Sequence, residues 1–290
     1  MLLGAADRGL LRSDDGERWA AVDGVPDGAA IFSLARAGDI VYAGARGAVH
    51  RGREGRWTAH PLPDPALEIW SLGVDRRRPE RVHAGCRPLA LLASDDAGET
   101  WRRVDFELPS GTARPHTPRI TAIVADGDWL WCGVEVGGVF GSPDRGGHWA
   151  ALGEGLPSLD VHALVFAGPA LLAATPRGIA RREGVWSAAA LAGDRYCRSL
   201  AALPHPGVVL CGLGDGPPGT RGAVVRSEDS GRTWAPTRFP AARSSVWSVA
   251  ADGDLAVACA IGGEVFVSKD GGRRWRLTAD GLGDLRAVLA

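Results

Sequence analysis

The sequence predicts an all-β fold, a single ring of seven four-stranded sheets known as a seven-bladed β-propeller. Three observations predict this fold: an octapeptide that recurs along the chain, a tryptophan that returns every 37 to 48 residues, and two apolar segments before each of these tryptophans. This spacing is typical of four short strands per blade. The 290 residues are therefore expected to form one propeller domain, 1–290.

The recurring octapeptide has the pattern Ser-x-Asp-x-Gly-x-x-Trp. Its copies are SDDAGETW at 94, SPDRGGHW at 142, SEDSGRTW at 227, SKDGGRRW at 268 and a shortened SDDGERW at 13. An aspartate that accepts hydrogen bonds from turn amides, a glycine with positive φ and a tryptophan that packs back onto the sheet predict a hairpin that serves the fold and not the chemistry. The aligned tryptophans are Trp19, Trp57, Trp101, Trp149, Trp186, Trp234 and Trp275.

The two apolar segments predict the first and second strands of each blade. The first strands begin IFSL (31), IWSL (69), ITAI (120), VHAL (161), CRSL (197), VWSV (246) and LRAV (285). The last of these has no second strand after it, whereas the N-terminal LLGAA has no first strand before it. Blade 7 is therefore expected to combine 1–26 with 284–290, which removes exposed strand edges, and blades 1–6 are expected to lie within 28–283.

The octapeptide resembles the bacterial neuraminidase (BNR) repeat, or Asp box, and the resemblance covers nearly the whole chain. It implies membership of the propeller superfamily that includes sialidases, sortilin-like receptor domains and photosystem II assembly-factor-like propellers. The resemblance implies a fold and little function, because the same scaffold carries hydrolases, lyases and non-catalytic binding modules.

Composition and charge exclude several classes of function. The net charge is −1, so no basic surface for nucleic acid or membrane is predicted. The first eight positions carry both acidic and basic residues, and no apolar segment of signal-peptide length follows, so the protein is expected to be soluble and cytoplasmic. Five cysteines without CxxC spacing predict buried thiols rather than disulfides or a zinc site, and no cofactor is expected.

A ligand site is expected on the face opposite the octapeptide hairpins. If the strands of each blade run outward from the axis, that face holds the turns between second and third strands and the crossovers between blades. Two insertions fall there, PSGTARPHTPR (109–119) and LGDGPPGTRG (213–222), and loops on a rigid scaffold are where function concentrates. Candidate ligand-binding residues in the insertions are His116, Arg119 and Asp215.

The second position of each first strand is a candidate for the mouth of the central channel. Positions one and four are apolar and position three is small, whereas position two varies from blade to blade. Trp70 and Trp247 are expected to form apolar walls, and Arg198 to bind the ligand, because polar side chains on an inner strand need partners. The alternative is that these side chains plug the channel. The seven residues are Phe32, Trp70, Thr121, His162, Arg198, Trp247 and Arg286.

Arginines on the same face predict an anionic ligand. Guanidinium groups bind carboxylate, sulfate or phosphate through paired hydrogen bonds. Arg87, Arg119 and Arg198 are favoured because they flank the blades with insertions, and the alternative is that such arginines are solvated turn residues. The arginines of the turns between second and third strands are Arg8, Arg46, Arg87, Arg177 and Arg221.

Three residues are candidates for catalysis. Glu135 stands where other blades carry arginine and is a candidate acid or base. His162 is a second candidate base. The resemblance to sialidases, which carry a Tyr–Glu nucleophile pair, implies Tyr196 as a candidate nucleophile with Glu135 as its partner. A divalent metal held by His116, His162 and Glu135 is the alternative, because two histidines and one carboxylate form a known kind of metal site.

Three functions fit these residues. The favoured one is a small-molecule site for an anionic or polar ligand, with hydrolase or lyase chemistry. The alternative is a non-catalytic binding or assembly propeller with a protein partner. A sialidase is disfavoured, because the early arginine motif of the FRIP type is absent and sialidases have six blades. A narrow pocket with converging Glu, His and Arg would favour the enzyme, and a broad shallow patch the assembly module.

Overall fold

The computed structural model describes residues 1–108, 117–191 and 195–290. It shows seven four-stranded antiparallel sheets arranged in a ring, which confirms the predicted seven-bladed β-propeller. Within these ranges no helix is long and apolar enough to cross a membrane.

The strands of each blade run outward from the central channel in chain order. Blade 1 contains β4 (Ser33–Ala37), β5 (Ile40–Gly44), β6 (Ala48–Arg53) and β7 (Arg56–Pro61), and blade 2 contains β8 (Glu68–Val74), β9 (Val82–Arg87), β10 (Ala90–Ser94) and β11 (Arg102–Val104). Blade 3 contains β12 (Ile120–Asp126), β13 (Trp129–Val134), β14 (Gly138–Ser142) and β15 (Ala150–Ala151). Blade 4 contains β16 (Ala163–Ala167), β17 (Ala170–Thr175), β18 (Gly178–Glu183) and β19 (Val185–Ala188).

The remaining blades include the one that closes the ring. Blade 5 contains β20 (Tyr196–Ala202), β21 (Val209–Gly214), β22 (Ala223–Ser227) and β23 (Ala235–Pro236), and blade 6 contains β24 (Val246–Asp252), β25 (Leu255–Ala260), β26 (Val265–Ser268) and β27 (Arg276–Ala279). Blade 7 contains β28 (Leu285–Leu289), β1 (Leu2–Ala5), β2 (Gly9–Arg12) and β3 (Ala20–Ala21). The C-terminal β28 pairs with β1 in antiparallel register, as predicted, so both chain ends lie in one sheet.

The octapeptide hairpins have the hydrogen bonds that their sequence predicts. In blade 2, Ser94 Oγ donates to Asp96 Oδ1 at 2.7 Å and accepts from the Gly98 amide at 2.8 Å. Gly98 has a φ of 86°, a conformation that glycine adopts at low cost. Trp101 at the end of this hairpin is buried. The same pattern of serine, aspartate and glycine bonds recurs in the other four copies.

The apolar core is divided among the contacts between blades. The described residues form seven buried clusters, and each cluster joins side chains of two adjacent blades. Small residues at the third position of the first strands belong to this packing. Ser33 Oγ donates to the carbonyl of Ile69 at 3.1 Å, and Ser71 Oγ to that of Ile120 at 2.9 Å, so each serine ties one inner strand to the next. The rigid ring that results positions the inner strands around the axis.

Candidate functional site

The residues at the second position of the inner strands lie in β-bulges. In blade 2, Ile69 pairs with Cys86 and Ser71 pairs with Gly85, which leaves Trp70 between them without a partner. A bulge redirects the side chain of the extra residue and ends its role in the ladder. The structure therefore explains why this position varies while its neighbours do not. The bulged residues are Trp70, Thr121, Arg198, Trp247 and Arg286.

The central channel contains a cavity of about 220 Å³ lined by all seven second-position residues. Phe32 and His162 join the five bulged residues at the start of their strands, where their amides donate to the carbonyls of Gly44 and Ala174. We call these seven residues the channel ring. The first strands thus bring two arginines, two tryptophans, a phenylalanine, a threonine and a histidine to one mouth.

A second ring, which we call the upper ring, is formed by the residue just before position one of each inner strand. Most of its residues were not predicted from the sequence, because the repeated pattern of the first strands was recognised only from position one onward. Two of its residues, Arg119 and Tyr196, were predicted from other signals. The upper ring consists of Ala30, Glu68, Arg119, Asp160, Tyr196, Ser245 and Asp284.

Trp70 is held from both sides at one edge of the mouth. Phe32 stacks on its ring with 4.8 Å between centroids, and the Arg119 guanidinium lies 3.8 Å from the ring centroid. Its indole N–H donates to Glu68 Oε2 at 3.2 Å. Arg119 also donates to Glu135 Oε1 at 2.6 Å, so Glu135 is an ion-paired carboxylate in this structure.

Glu68 is a buried carboxylate that the sequence analysis did not identify. It is only 7% exposed and forms ion pairs with Arg46 and, at 3.5 Å, with Arg87. Arg87, a predicted ligand-binding residue, is therefore held at the rim by Glu68 and does not line the central cavity.

Trp247 lies at another edge of the mouth between two arginines. The Arg198 guanidinium is 4.0 Å and that of Arg286 is 4.9 Å from its ring centroid. Arg286 donates to Asp284 Oδ2 at 2.6 Å. These contacts are cation–π interactions, which hold a guanidinium without neutralising its charge.

Arg198 differs from the other arginines of the mouth because it forms no ion pair with any described residue. It is 8% exposed, and its Nε has no hydrogen-bond partner. Burial lowers the pKa of Arg198 to about 10, and the charges of Tyr196, Arg119, Glu135 and Asp160 are near enough to contribute. The side chain is therefore a buried cation at physiological pH that feels the carboxylates of Glu135 and Asp160 but forms no ion pair with a described residue.

His162 and Tyr196 pack together beside Arg198. Their rings are 4.7 Å apart, and burial raises the pKa of Tyr196. His162 Nδ1 lies 2.7 Å from the carbonyl oxygen of Cys197, so Nδ1 carries the proton and donates it. Nε2 lies 3.4 Å from Asp160 Oδ2, so the ring is oriented between the Cys197 carbonyl and this carboxylate.

The remaining predicted site residues lie apart from the channel ring or outside the description. Asp215 accepts hydrogen bonds from the Thr220 amide at 2.7 Å and the Thr220 hydroxyl at 2.9 Å, and from Arg221 Nε at 3.1 Å. The Thr220 amide, its hydroxyl and Arg221 hold the pKa of Asp215 well below its usual range, so this carboxylate stabilises its own loop. His116 lies outside the described residues, among which no group of His, Cys, Asp and Glu has the arrangement of a metal site.

A third ring lies deeper in the same cavity. Position four of each inner strand lies two residues beyond the channel ring, about 7 Å further along the strand at ~3.3 Å per residue. All seven position-four side chains are aliphatic and line the cavity. We call Leu34, Leu72, Ile123, Leu164, Leu200, Val249 and Val288 the aliphatic ring.

The fold and these rings define a seven-bladed β-propeller with an arginine- and tryptophan-lined channel mouth. No protein-family model and no curated protein matches the sequence. A GH74 enzyme from Niastella koreensis is similar in fold, with a TM-score of 0.70 and 16% identity over 85% of this chain and 45% of that enzyme. The chain thus spans less than half of that enzyme's length.

Two YCF48 structures match over most of both chains. YCF48 from Cyanidioschyzon merolae has a TM-score of 0.64 and 16% identity, and covers 88% of this chain and 86% of its own. YCF48 bound to D1 peptide has a TM-score of 0.62 and 17% identity, and covers 86% of this chain and 82% of its own. At these identities the likeness shows the β-propeller fold alone.

Proposed function

We propose that this protein binds a small anionic molecule at the channel mouth, with Arg198 as the residue that neutralises the anion. The observation that carries the proposal is the buried guanidinium of Arg198, which forms no ion pair with a described residue. A buried charge without a counter-ion costs several kcal/mol. An anionic ligand would remove this cost, and the binding free energy would include it.

The surroundings of Arg198 support a specific site. Trp247 holds one face of the guanidinium at 4.0 Å, which leaves its N–H groups to form a paired contact with two oxygens of the ligand. Trp70 is held by Phe32 and Arg119 and gives the mouth a second flat apolar wall. The walls are fixed before binding, and preorganisation of this kind lowers the entropic cost of association.

Calorimetric titration with small carboxylates, sulfate and phosphate tests the proposal. We expect Arg198→Ala to weaken the binding of a carboxylate by about ten- to a hundredfold, because a hydrogen-bonded charge contributes about 1.5–3 kcal/mol. Arg198→Lys keeps the charge but loses the paired geometry, so its affinity should lie between those of the wild type and the alanine variant.

Arg226→Ala is the matched control for this titration. Arg226 has the same exposed fraction of 8%, but it donates to the Gly271 carbonyl near an octapeptide hairpin and pairs with Glu228. Its loss should lower stability without changing the affinity for the anion. Equal affinities in Arg198→Ala and wild type would refute the proposed function.

A catalytic role is the second candidate, and the observation that favours it is the orientation of His162, whose Nδ1 donates to the Cys197 carbonyl and whose ring lies beside Asp160 and Tyr196. In that case His162 is the general base and Arg198 holds the anionic part of the substrate. The similarity in fold to both a GH74 enzyme and a peptide-bound YCF48 leaves both functions open. Chromatography of the ligand after incubation with the protein separates conversion from binding alone.

A further inference from the structure

We infer that the ligand is an amphipathic monocarboxylate, with one carboxylate at Arg198 and an apolar chain that extends down the channel to the aliphatic ring. This inference rests on the proposed function and adds the chemical class of the ligand. Two features carry it: Arg198, which forms no ion pair with a described residue, and the ring of seven aliphatic side chains beneath this arginine.

The charge balance selects a ligand with one negative charge. Arg119 donates to Glu135 and Arg286 donates to Asp284, so two of the three arginines that contact Trp70 and Trp247 already have a carboxylate. Arg198 alone of these three has none among the described residues. A second anionic group beside Arg198 would face the carboxylates of Glu135 and Asp160, whose charges act on Arg198, and like charges at close range repel.

The aliphatic ring selects an apolar chain. Leu200 lies two residues after Arg198 in β20 and Leu72 two residues after Trp70 in β8, and both are partly exposed to the cavity. The position-three hydroxyls of Ser33, Ser71, Ser199 and Ser248 also line the cavity, one residue before the ring in each strand. The ring itself offers no charged partner to a second carboxylate, and an unpaired charged group in such surroundings is costly. Each methylene that leaves water for this ring contributes about 0.8 kcal/mol.

The distance between the rings sets the length of chain required. Arg198 and the aliphatic ring are about 7 Å apart along the strand at ~3.3 Å per residue. Acetate is too short to leave the level of the arginine, whereas hexanoate and octanoate span this distance. Affinity should therefore increase with chain length, by about fourfold for each methylene that reaches the ring, which is 0.8 kcal/mol converted to a ratio.

Titration of the wild-type protein with acetate, butyrate, hexanoate and octanoate, followed by calorimetry, tests the inference. Adipate, with a carboxylate at each end of the hexanoate chain, should bind at least about tenfold more weakly than hexanoate, because its second carboxylate would enter the aliphatic ring. Hexanol, which lacks the charge, should also bind more weakly than hexanoate.

Two variants of Leu200 locate the chain. Leu200→Gln places an amide in the aliphatic ring and should weaken the binding of octanoate by about tenfold or more. The affinity for acetate, which does not reach the ring, should stay the same. Leu200→Met keeps an apolar side chain of similar volume and should bind octanoate as the wild type does. Thermal melts of both variants show whether each is folded.

The outcomes separate the inference from the proposed function. If all carboxylates bind through Arg198 with the same affinity, or if adipate binds as tightly as hexanoate, the inference of an amphipathic ligand is wrong, whereas the proposed anion-binding function is still supported. If no carboxylate binds, and Arg198→Ala changes nothing for sulfate or phosphate either, both are wrong. A chain-length dependence that persists in Leu200→Gln would place the apolar contact elsewhere and overturn the inference.

Discussion

Asp229 shows how a single carboxylate holds a hairpin of this ring. It accepts hydrogen bonds from the amides of Arg232 at 3.0 Å and Thr233 at 2.9 Å and from the Thr233 hydroxyl at 2.6 Å. Burial alone would raise the pKa of Asp229, but the hydrogen bonds from Thr233 and Ser227 outweigh it and lower the pKa from 3.8 to about 2. The charged form is therefore the one that the hairpin stabilises.

This depressed pKa makes the contribution of Asp229 to stability dependent on pH. The contribution is complete above pH ~4, where the unfolded carboxyl is also ionised, and is lost as pH falls toward 2. We expect Asp229→Asn to melt at a lower temperature than wild type at pH 7, and the difference to shrink between pH 4 and 2. Thermal melts of both proteins from pH 7 to pH 2 measure it. A difference that stays constant over this range would contradict the assignment.

At the scale of residues, the sequence predicted where the side chains stand better than what they contact. The channel ring was found because position two varies between blades while its neighbours repeat. Glu68, Asp160 and Asp284 were missed because the comparison of blades began one residue too late. The partners of Arg119 and Arg198 could not be predicted, since ion pairs between blades depend on the angle at which each side chain leaves its strand.

At the scale of elements, the second strand of most blades carries a glycine that the neighbouring blade requires. A Cβ at Gly85 would lie 2.6 Å from Ile120 Cγ2, and one at Gly133 would lie 2.7 Å from Val161 Cγ1. Neither glycine has a positive φ, so the constraint is the close approach of adjacent blades and not the backbone conformation. The small third position of the first strand serves the same contact.

Gly133→Ala should therefore destabilise the protein through the contact between blades 3 and 4. We expect a loss of about 1–3 kcal/mol, the usual cost of an added carbon in a packed core. The second variant, Val161→Ala, also destabilises by removing buried methyl groups. The double variant should cost less than the sum of the two, because the smaller residue makes room for the added Cβ. Chemical denaturation of all four proteins gives the coupling, and additive costs would show that the contact is not the cause.

The strand pattern of each blade was predictable because the repeat occurs seven times and each copy constrains the others. The pairing of β28 with β1 followed from the same repeat. The bulges were not predicted, because an extra residue in one strand leaves no mark in the apolar pattern. They are nevertheless what turns the second position toward the channel.

At the scale of the whole molecule, the two chain ends complete one sheet. Leu2 pairs with Leu289, and Leu285 of β28 is fully buried in the cluster that joins blades 6 and 7. The closure of the ring therefore depends on the pairing of β28 with β1. It does not depend on which residues of the ring are the N- and C-termini. Closure of this kind leaves no exposed inner strand.

A circular permutant tests this independence. A chain that begins at residue 28 and joins Ala290 to Met1 through a few glycine and serine residues should fold and melt within a few degrees of wild type, because the joined ends already lie side by side. Removal of residues 284–290 should instead lower the melting temperature sharply and promote association through the exposed edge of β1. Thermal melts and size-exclusion chromatography measure both, and equal stability of the truncated chain would contradict the account.

The bulges also bear on how the protein could be engineered. A bulged residue takes no part in the ladder, so its exchange changes the wall of the channel while the hydrogen bonds of the sheet stay as they are. Five such positions lie around one opening, together with Phe32 and His162. A library that randomises these seven codons would sample receptors for differently charged and shaped molecules on an unchanged frame. The second position of the first strands, which differs between the blades of this protein, is thus also the position to vary between engineered proteins.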